Sequence, residues 1–181
     1  SSNSIESYSR FVINALELYD LENLSLCGHS MGGLVALDMI SNHNFHAKSL
    51  ILVNSIYPTK VADILLDKAK SGNGDAADFI IKYGLHRRLL GIKNAFSEEE
   101  ALVMLDDLEA CNNYQLDLNN LKNVGIPVSI ILGSKDRLVD SKAVENFTAI
   151  VPSDIYMMND VGHFSFFEDP TELSKLISKI V

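Results

Sequence analysis

Two short runs of isoleucine, valine and leucine constrain the fold of this chain most strongly. Leu50–Val53 and Val128–Leu132 are nearly continuous apolar stretches, and polar residues follow each of them. Strands buried on both faces of a parallel sheet have this pattern, whereas strands with one wet face alternate apolar and polar residues. Parallel strands need long crossover connections, which are usually helical. The two runs therefore predict an α/β fold with a parallel sheet flanked by helices.

Helical and strand patterns alternate along the rest of the chain. Apolar residues recur at helical spacing in the first segment, which predicts a covering helix from about Ser4 to Tyr19. Leu24–Cys27 then predicts a strand, and the spacing from Met31 to Ile40 predicts a helix directly after it. The later segments predict a helix, a fourth strand and a final helix, at Ser141–Val151, Ile155–Met158 and Pro170–Ile180 respectively.

A long insertion separates the second and third predicted strands. Its length, about 70 residues, exceeds that of a simple crossover, so we expect a small helical subdomain over one end of the sheet. Helical spacing is clearest at Val61–Ala69, Ala76–Tyr83 and Ser97–Ala110. We assign residues 58–123 to this inserted subdomain, and residues 1–57 and 124–181 to the core.

A glycine-rich turn carries the first candidate for chemistry. The segment Gly28-His29-Ser30-Met31-Gly32 fits the G-x-S-x-G nucleophile elbow and lies between a predicted strand and a predicted helix. Such a turn holds the serine in a strained conformation at the carboxyl end of the sheet, and the flanking glycines keep side chains away from it. The backbone N–H of Met31 would lie at a helix N-terminus, where it can stabilise a negative oxygen. We interpret His29 as a packing or hydrogen-bonding residue rather than a proton carrier.

An acid and a histidine follow in the order that this motif requires. Asp136 lies just past the third predicted strand and His163 just past the fourth, so the chain order is Ser, Asp, His. A serine hydroxyl needs a base to activate it, and the imidazole needs a partner that fixes its tautomer. We therefore predict Ser30 as nucleophile, His163 as base and Asp136 as orienting acid. Asp140 is an alternative acid, and Asp160 and Glu168 are weaker ones.

Composition excludes several other classes of protein. The chain has 181 residues, 47% of them hydrophobic and 22% charged, which is typical of a globular protein. Its net charge of −9 and the lack of a basic face argue against nucleic acid as a partner. Cys27 and Cys111 match no metal-ligand or redox spacing, and we interpret Cys27 as a buried strand residue. No apolar window approaches membrane-spanning length and Ser1–Arg10 lacks a signal core, so we expect a soluble, cytoplasmic protein.

These motifs resemble those of the α/β-hydrolase superfamily, specifically its serine-dependent esterases, lipases and acyl hydrolases with a helical cap. The resemblance rests on Gly28–Gly33, Ile131–Asp136 and Gly162–Pro170 and covers nearly the whole chain. It implies that the four strands correspond to strands five to eight of that fold and that the insertion is the cap. It also implies a small acyl ester as substrate and no metal or organic cofactor. Members with an aspartate nucleophile, such as epoxide hydrolases, are disfavoured by Ser30.

The resemblance further implies four earlier strands, with a loop that carries a second oxyanion donor. Without them the strand at Leu24–Cys27 is an exposed hydrophobic edge. Three explanations are open: a C-terminal piece of a longer polypeptide, a free-standing truncated hydrolase that pairs its open edge with another copy, or a degenerate relative. We favour the first for the origin of the chain and the second for what its 181 residues do when isolated. We expect a second copy or an N-terminal complementary segment to cover the edge. Loss of one oxyanion donor costs roughly 10²- to 10³-fold in turnover, so without that loop we expect only weak hydrolysis. The alternative function is a binding or interaction module of the same fold.

Overall fold

The computed structural model of the chain describes residues 3–19, 21–72, 74–87 and 98–181. It contains the four predicted strands, β1 (Ser25–His29), β2 (Ser49–Val53), β3 (Val128–Gly133) and β4 (Asp154–Met158). They form one sheet in the order β1-β2-β3-β4, and each neighbouring pair is parallel. The α/β class and the parallel sheet are therefore confirmed.

Helices connect and cover these strands. In chain order they are α1 (Ile5–Leu16), α2 (Met31–His43), α3 (Asp63–Lys70), α4 (Asp75–Gly84), α5 (Glu98–Asn113), α6 (Leu118–Val124), α7 (Ser141–Ile150), α8 (Ser165–Glu168) and α9 (Pro170–Ile180). The first helix ends at Leu16 rather than Tyr19. Sequence reasoning missed α6 and α8, because helices of 7 and 4 residues are too short to show a clear apolar period. Ser97, the expected start of the third insertion helix, lies outside the described residues.

Burial of the central strands explains why the sheet forms. Every residue of β2 and β3 is buried, as their continuous apolar runs predict. On one face, α2 packs its long buried side against the sheet, with α1 against α2. On the other face, Leu173 of α9 joins a smaller cluster with Ile51, Val53 and Ile131. The carboxyl ends of the strands are thereby held at a common edge, where the loops that follow them meet.

The strand β1 lies at an edge of this sheet. Within the described ranges it pairs only with β2. Cys27, in the middle of β1, is exposed, so its expected burial was wrong, whereas Cys111 on α5 is buried. The reason is that the cluster under α9 draws on the central strands and β4 and does not reach β1.

The insertion between β2 and β3 is helical, with α3 to α6 in sequence. α3 packs against α4 and α5, while α6 packs against α2 of the core. The division at residues 58–123 stays a prediction. In the part of the chain that the structure describes, no helix combines the length and apolar character needed to cross a membrane.

Candidate active site

The turn between β1 and α2 holds Ser30 in an unusual backbone conformation. Its φ is 51° and its ψ is −122°, a left-handed region that is costly for any residue with a side chain. Two contacts from the neighbouring strand end stabilise this conformation. The Ser30 N–H donates to the Val53 carbonyl at 3.1 Å, and the Ser55 hydroxyl donates to the Ser30 carbonyl at 2.7 Å. The side chain of Ser30 is therefore fixed at the carboxyl edge of the sheet.

The two glycines of the motif have different physical roles. A Cβ on Gly28 would lie 2.3 Å from the Gly32 carbonyl oxygen, so β1 and α2 approach too closely for any other residue. A Cβ on Gly32 would meet no atom of the described chain within 4 Å. Gly28 thus permits the close packing of the turn, while Gly32 is exposed near the start of α2.

Met31 is the first residue of α2. The first N–H groups of a helix have no intrahelical partner, so the N–H of Met31 can donate to a group bound next to Ser30. Its position at the positive end of α2 suits an anionic oxygen.

The structure brings together the three side chains predicted for catalysis. His163 Nε2 lies 3.0 Å from Ser30 Oγ, and His163 Nδ1 lies 2.9 Å from Asp136 Oδ2. The side chains of His163 and Asp136 are both buried, with 7% and 3% of their surface exposed. An ionised Asp136 accepts the Nδ1–H, which leaves Nε2 as an acceptor for the Ser30 hydroxyl proton.

Four hydrogen bonds surround the carboxylate of Asp136. Oδ1 accepts the N–H of Leu138 at 2.8 Å and that of Val139 at 3.2 Å, while Oδ2 also accepts from Asn54 Nδ2 at 2.9 Å. Burial alone would raise the pKa of Asp136, but the hydrogen bond and charge of His163, together with the Leu138 and Asn54 donors, outweigh burial and lower the pKa. Asp136 therefore remains a carboxylate at neutral pH.

Asn54 is a site residue that sequence reasoning missed. It follows β2, is fully buried, and has a left-handed φ of 47°. Besides Asp136, its amide donates to the Gly162 carbonyl at 3.2 Å, and its carbonyl oxygen accepts the Ser165 hydroxyl at 2.7 Å. Asn54 thus ties the end of β2 to the loops that carry Asp136 and His163. The available signal was a polar residue immediately after a buried strand.

The other candidate acids make different contacts. Asp140 accepts the Lys142 N–H at 3.0 Å and caps α7. Asp160 is exposed and lies 3.9 Å from the Lys135 ammonium. Glu168 is buried, and its carboxylate accepts backbone N–H groups. Asp136 is therefore the carboxylate that the structure places against His163 Nδ1.

His29 contacts the backbone of the predicted base. Its Nε2 lies 2.8 Å from the His163 carbonyl oxygen, so this nitrogen carries the proton and donates. Its ring packs edge-on against Phe166, with centroids 4.8 Å apart. Burial, followed by the charge of His163, lowers the pKa of His29 to about 4, against the partial opposing effects of its own hydrogen bond and Asp136. A neutral donor at this position fits the packing role expected from the sequence.

The lowered pKa of His29 predicts a pH-dependent loss of stability. The unfolded state has the ordinary value of 6.5 and so binds this proton first as pH falls. The contribution of neutral His29 to the free energy of unfolding is therefore fully present above pH 6.5. It is lost as pH falls towards about 4, and the loss amounts to up to about 3 kcal/mol. His29→Gln keeps an N–H donor but cannot titrate, so its unfolding free energy should fall less across this range.

Urea denaturation of wild type and His29→Gln between pH 4 and 7 measures this difference, because this pH range covers the pKa of His29 in both the folded and the unfolded state. His46→Gln is the control, because His46 is exposed on the surface. Parallel pH profiles for wild type and His29→Gln would contradict the assignment of a neutral, buried His29.

The amino-acid sequence of this chain is similar to those of several known proteins. Residues 3–176 match the sequence model of the family described as the alpha/beta hydrolase family. Among curated proteins, the chain is 23% identical over 209 residues to uncharacterized proteins of Mycobacterium bovis and Mycobacterium tuberculosis. The match covers 98% of this chain but 61% of the relatives, so the chain spans less than two thirds of their length.

Solved structures of similar fold include several esterases. A thermophilic esterase superposes with a TM-score of 0.86 at 23% identity, covering 99% of this chain and 73% of that one. An esterase from Exiguobacterium antarcticum has a TM-score of 0.83 at 16% identity, with coverages of 99% and 74%. The enol-lactonase from Burkholderia xenovorans LB400 has a TM-score of 0.75 at 16% identity, with coverages of 98% and 73%. At these identities the likeness establishes the shared fold.

Proposed function

Because the chain belongs to the alpha/beta hydrolase family, we propose that it is a serine hydrolase that cleaves small carboxylic esters or related acyl compounds, such as thioesters or lactones. The observation that carries this proposal is the continuous contact from Ser30 Oγ through the His163 imidazole to Asp136, with links of 3.0 and 2.9 Å. A hydroxyl, a base and a buried carboxylate in this arrangement form an activated nucleophile.

The proposed reaction proceeds through an acyl-enzyme. Ser30 Oγ attacks the carbonyl carbon while His163 Nε2 takes the hydroxyl proton, and the resulting oxyanion accepts the Met31 N–H. The intermediate collapses as His163 returns that proton to the leaving alcohol, thiol or lactone oxygen. Water then attacks the acyl-enzyme with His163 again as base, which releases the acid and restores Ser30. Asp136 holds the imidazole and stabilises its cationic form throughout.

The partial exposure of the nucleophile supports an acyl substrate. Ser30 is half-buried rather than enclosed, so a planar carbonyl group can approach its hydroxyl from the exposed side. We assign the insertion at residues 58–123 as the cap that bounds the substrate site. The esterase and lactonase structures of similar fold support the choice of acyl compounds as the substrate class.

A series of p-nitrophenyl esters of increasing acyl length tests this function. We expect saturable hydrolysis by the wild-type chain and, under rapid quenching, a mass increase equal to the acyl group on the peptide that contains Ser30. Hydrolysis rates no higher than those in buffer for every ester, in well-folded protein, would instead favour a binding module of the same fold.

The free edge of β1 favours a second role as an interaction surface. In the described chain β1 has one sheet neighbour, and Cys27 at its centre is exposed. Unpaired strand edges present free N–H and C=O groups that bind further strands. We propose that this edge pairs with a complementary N-terminal segment or with a second copy of the chain.

The exposed thiol of Cys27 provides a direct probe of the edge. We expect light scattering to detect dimers as protein concentration rises, with slower reaction of Cys27 with a thiol reagent over the same range. Cys111 is buried and serves as the internal control that reports unfolding. A monomer at every concentration, with constant Cys27 reactivity, would refute pairing between copies. Adding a peptide that corresponds to the preceding strand in an esterase of similar fold tests the complementary segment separately.

A further inference from the structure

We propose that the end of α4 is a positioning element for the triad, acting through Arg137 and Glu168. We define the α4 terminus as residues 82–87, which comprise the last residues of α4 and the turn that follows. It contacts both the loop that carries Asp136 and the loop that carries His163. This inference rests on the proposed function, since positioning affects turnover only if the triad is catalytic.

Arg137 binds the α4 terminus from the Asp136 side. Its Nε donates to the Tyr83 carbonyl at 3.1 Å, and its Nη2 donates to the carbonyls of Lys82 at 3.0 Å and Leu85 at 3.2 Å. The last carbonyls of a helix lack intrahelical donors, and a cation there also complements the helix dipole. Because Arg137 directly follows Asp136, this contact fixes the Asp136 loop relative to α4.

Gly84 binds the backbone of His163. Its carbonyl accepts the His163 N–H at 2.6 Å. A Cβ at this position would lie 2.7 Å from the Phe164 ring, so the absence of a side chain allows α4 to approach the histidine loop this closely.

Glu168 joins the same two segments through a buried carboxylate. Oε1 accepts the Gly162 N–H at 3.0 Å, while Oε2 accepts the N–H groups of His86 at 3.2 Å and Arg87 at 2.8 Å. Only 6% of Glu168 is exposed, so the carboxylate depends on these donors in place of water. The Arg87 guanidinium also donates to the Glu168 carbonyl at 3.2 Å. The residue before His163 is thereby held to the α4 terminus.

These contacts make one connected unit of the α4 terminus and the two triad loops. Removing the hydrogen bonds of either Arg137 or Glu168 should let the His163 imidazole shift relative to Ser30. A displacement of about 1 Å can lower the rate of catalysis roughly 10²-fold. Arg137 and Glu168 are therefore positioning residues, because they act through Asp136 and His163.

Glu168→Gln, Arg137→Gln and the double variant test this coupling. Glutamine keeps the size of Glu168, but its NH₂ group cannot accept a hydrogen bond. At least one of the backbone N–H groups that donate to Glu168 therefore loses its acceptor. We expect each single variant to lower kcat about 10- to 100-fold with little change in KM, and the double variant to lose less than the product of the two. Glu145→Gln and Arg10→Gln, both exposed, are the matched controls and should retain wild-type kcat.

Amide hydrogen exchange at His163 measures the positioning without requiring turnover. Exchange should accelerate in Glu168→Gln and also in Arg137→Gln, although the Arg137 contacts are with the α4 terminus and not with His163. Unchanged exchange at the His163 amide in Arg137→Gln would overturn the proposal. Because Arg137 is exposed, this variant should fold, so it tests the proposal even if Glu168→Gln fails to fold. Lack of Ser30-dependent hydrolysis in the wild type would refute the proposed function alone, since the exchange result still stands.

Discussion

Replacing Ser30 by alanine is expected to reduce p-nitrophenyl ester hydrolysis at least roughly 10³-fold, to near the rate in buffer. The physical reason is that, in the proposed mechanism, His163 Nε2 accepts the proton of Ser30 Oγ, which lies 3.0 Å away. The remaining imidazole and Met31 N–H can at most assist a water. Because Ser30 is half-buried in a tight turn and loses a single oxygen, the variant should fold like the wild type.

A fluorophosphonate probe checks the same prediction independently of substrate choice. Wild type should label once, at Ser30, and Ser30→Ala should not label. Ser141→Ala is the control, because Ser141 is an exposed residue at the start of α7 and should leave labelling unchanged. Equal labelling of wild type and Ser30→Ala would rule out Ser30 as the nucleophile.

Replacing Asp136 by asparagine is expected to lower kcat by about 10⁴-fold with a much smaller effect on KM. An amide N–H facing His163 Nδ1 favours the tautomer with the proton on Nε2, which then cannot accept the Ser30 proton. Removing the carboxylate also leaves the imidazolium form without its partner, 2.9 Å away. Steady-state kinetics with one p-nitrophenyl ester measures both parameters.

Asp140→Asn is the control that separates the two candidate acids. Asparagine caps helices as well as aspartate does, so α7 should keep its N-cap and the variant should fold normally. We expect wild-type kcat for Asp140→Asn. A loss equal to that of Asp136→Asn would instead transfer the orienting role to Asp140.

Local patterns predicted much of this fold because they have a direct physical cause. Continuous apolar runs identified β2 and β3, since strands covered on both faces exclude polar residues. The glycine spacing around Ser30 located the turn, because the close approach of β1 and α2 leaves no room for a Cβ at Gly28. Short elements such as α8 escaped prediction, since 4 residues do not complete a recognisable period.

The candidate site was predictable only in its chain order. Asp136 and His163 could be proposed from their positions after two strands, but the contribution of Asn54 depends on contacts with Asp136 and Gly162, 82 and 108 residues away in sequence. The same holds for Glu168, which sequence reasoning weighed only as a rival acid. Its role depends on backbone N–H groups supplied by His86 and Arg87 across the fold.

The amino-acid sequence by itself determined the α/β class, the turn at Ser30 and the chain order of Ser30, Asp136 and His163, because these follow from local periodicity and from residue types at fixed spacing. Only the tertiary structure decided which carboxylate meets His163, that Cys27 is exposed, and that the end of α4 reaches both Arg137, next to Asp136, and His163. Such contacts join segments far apart along the chain, and their geometry is set by how the sheet, the loops after its strands and the inserted helices pack together.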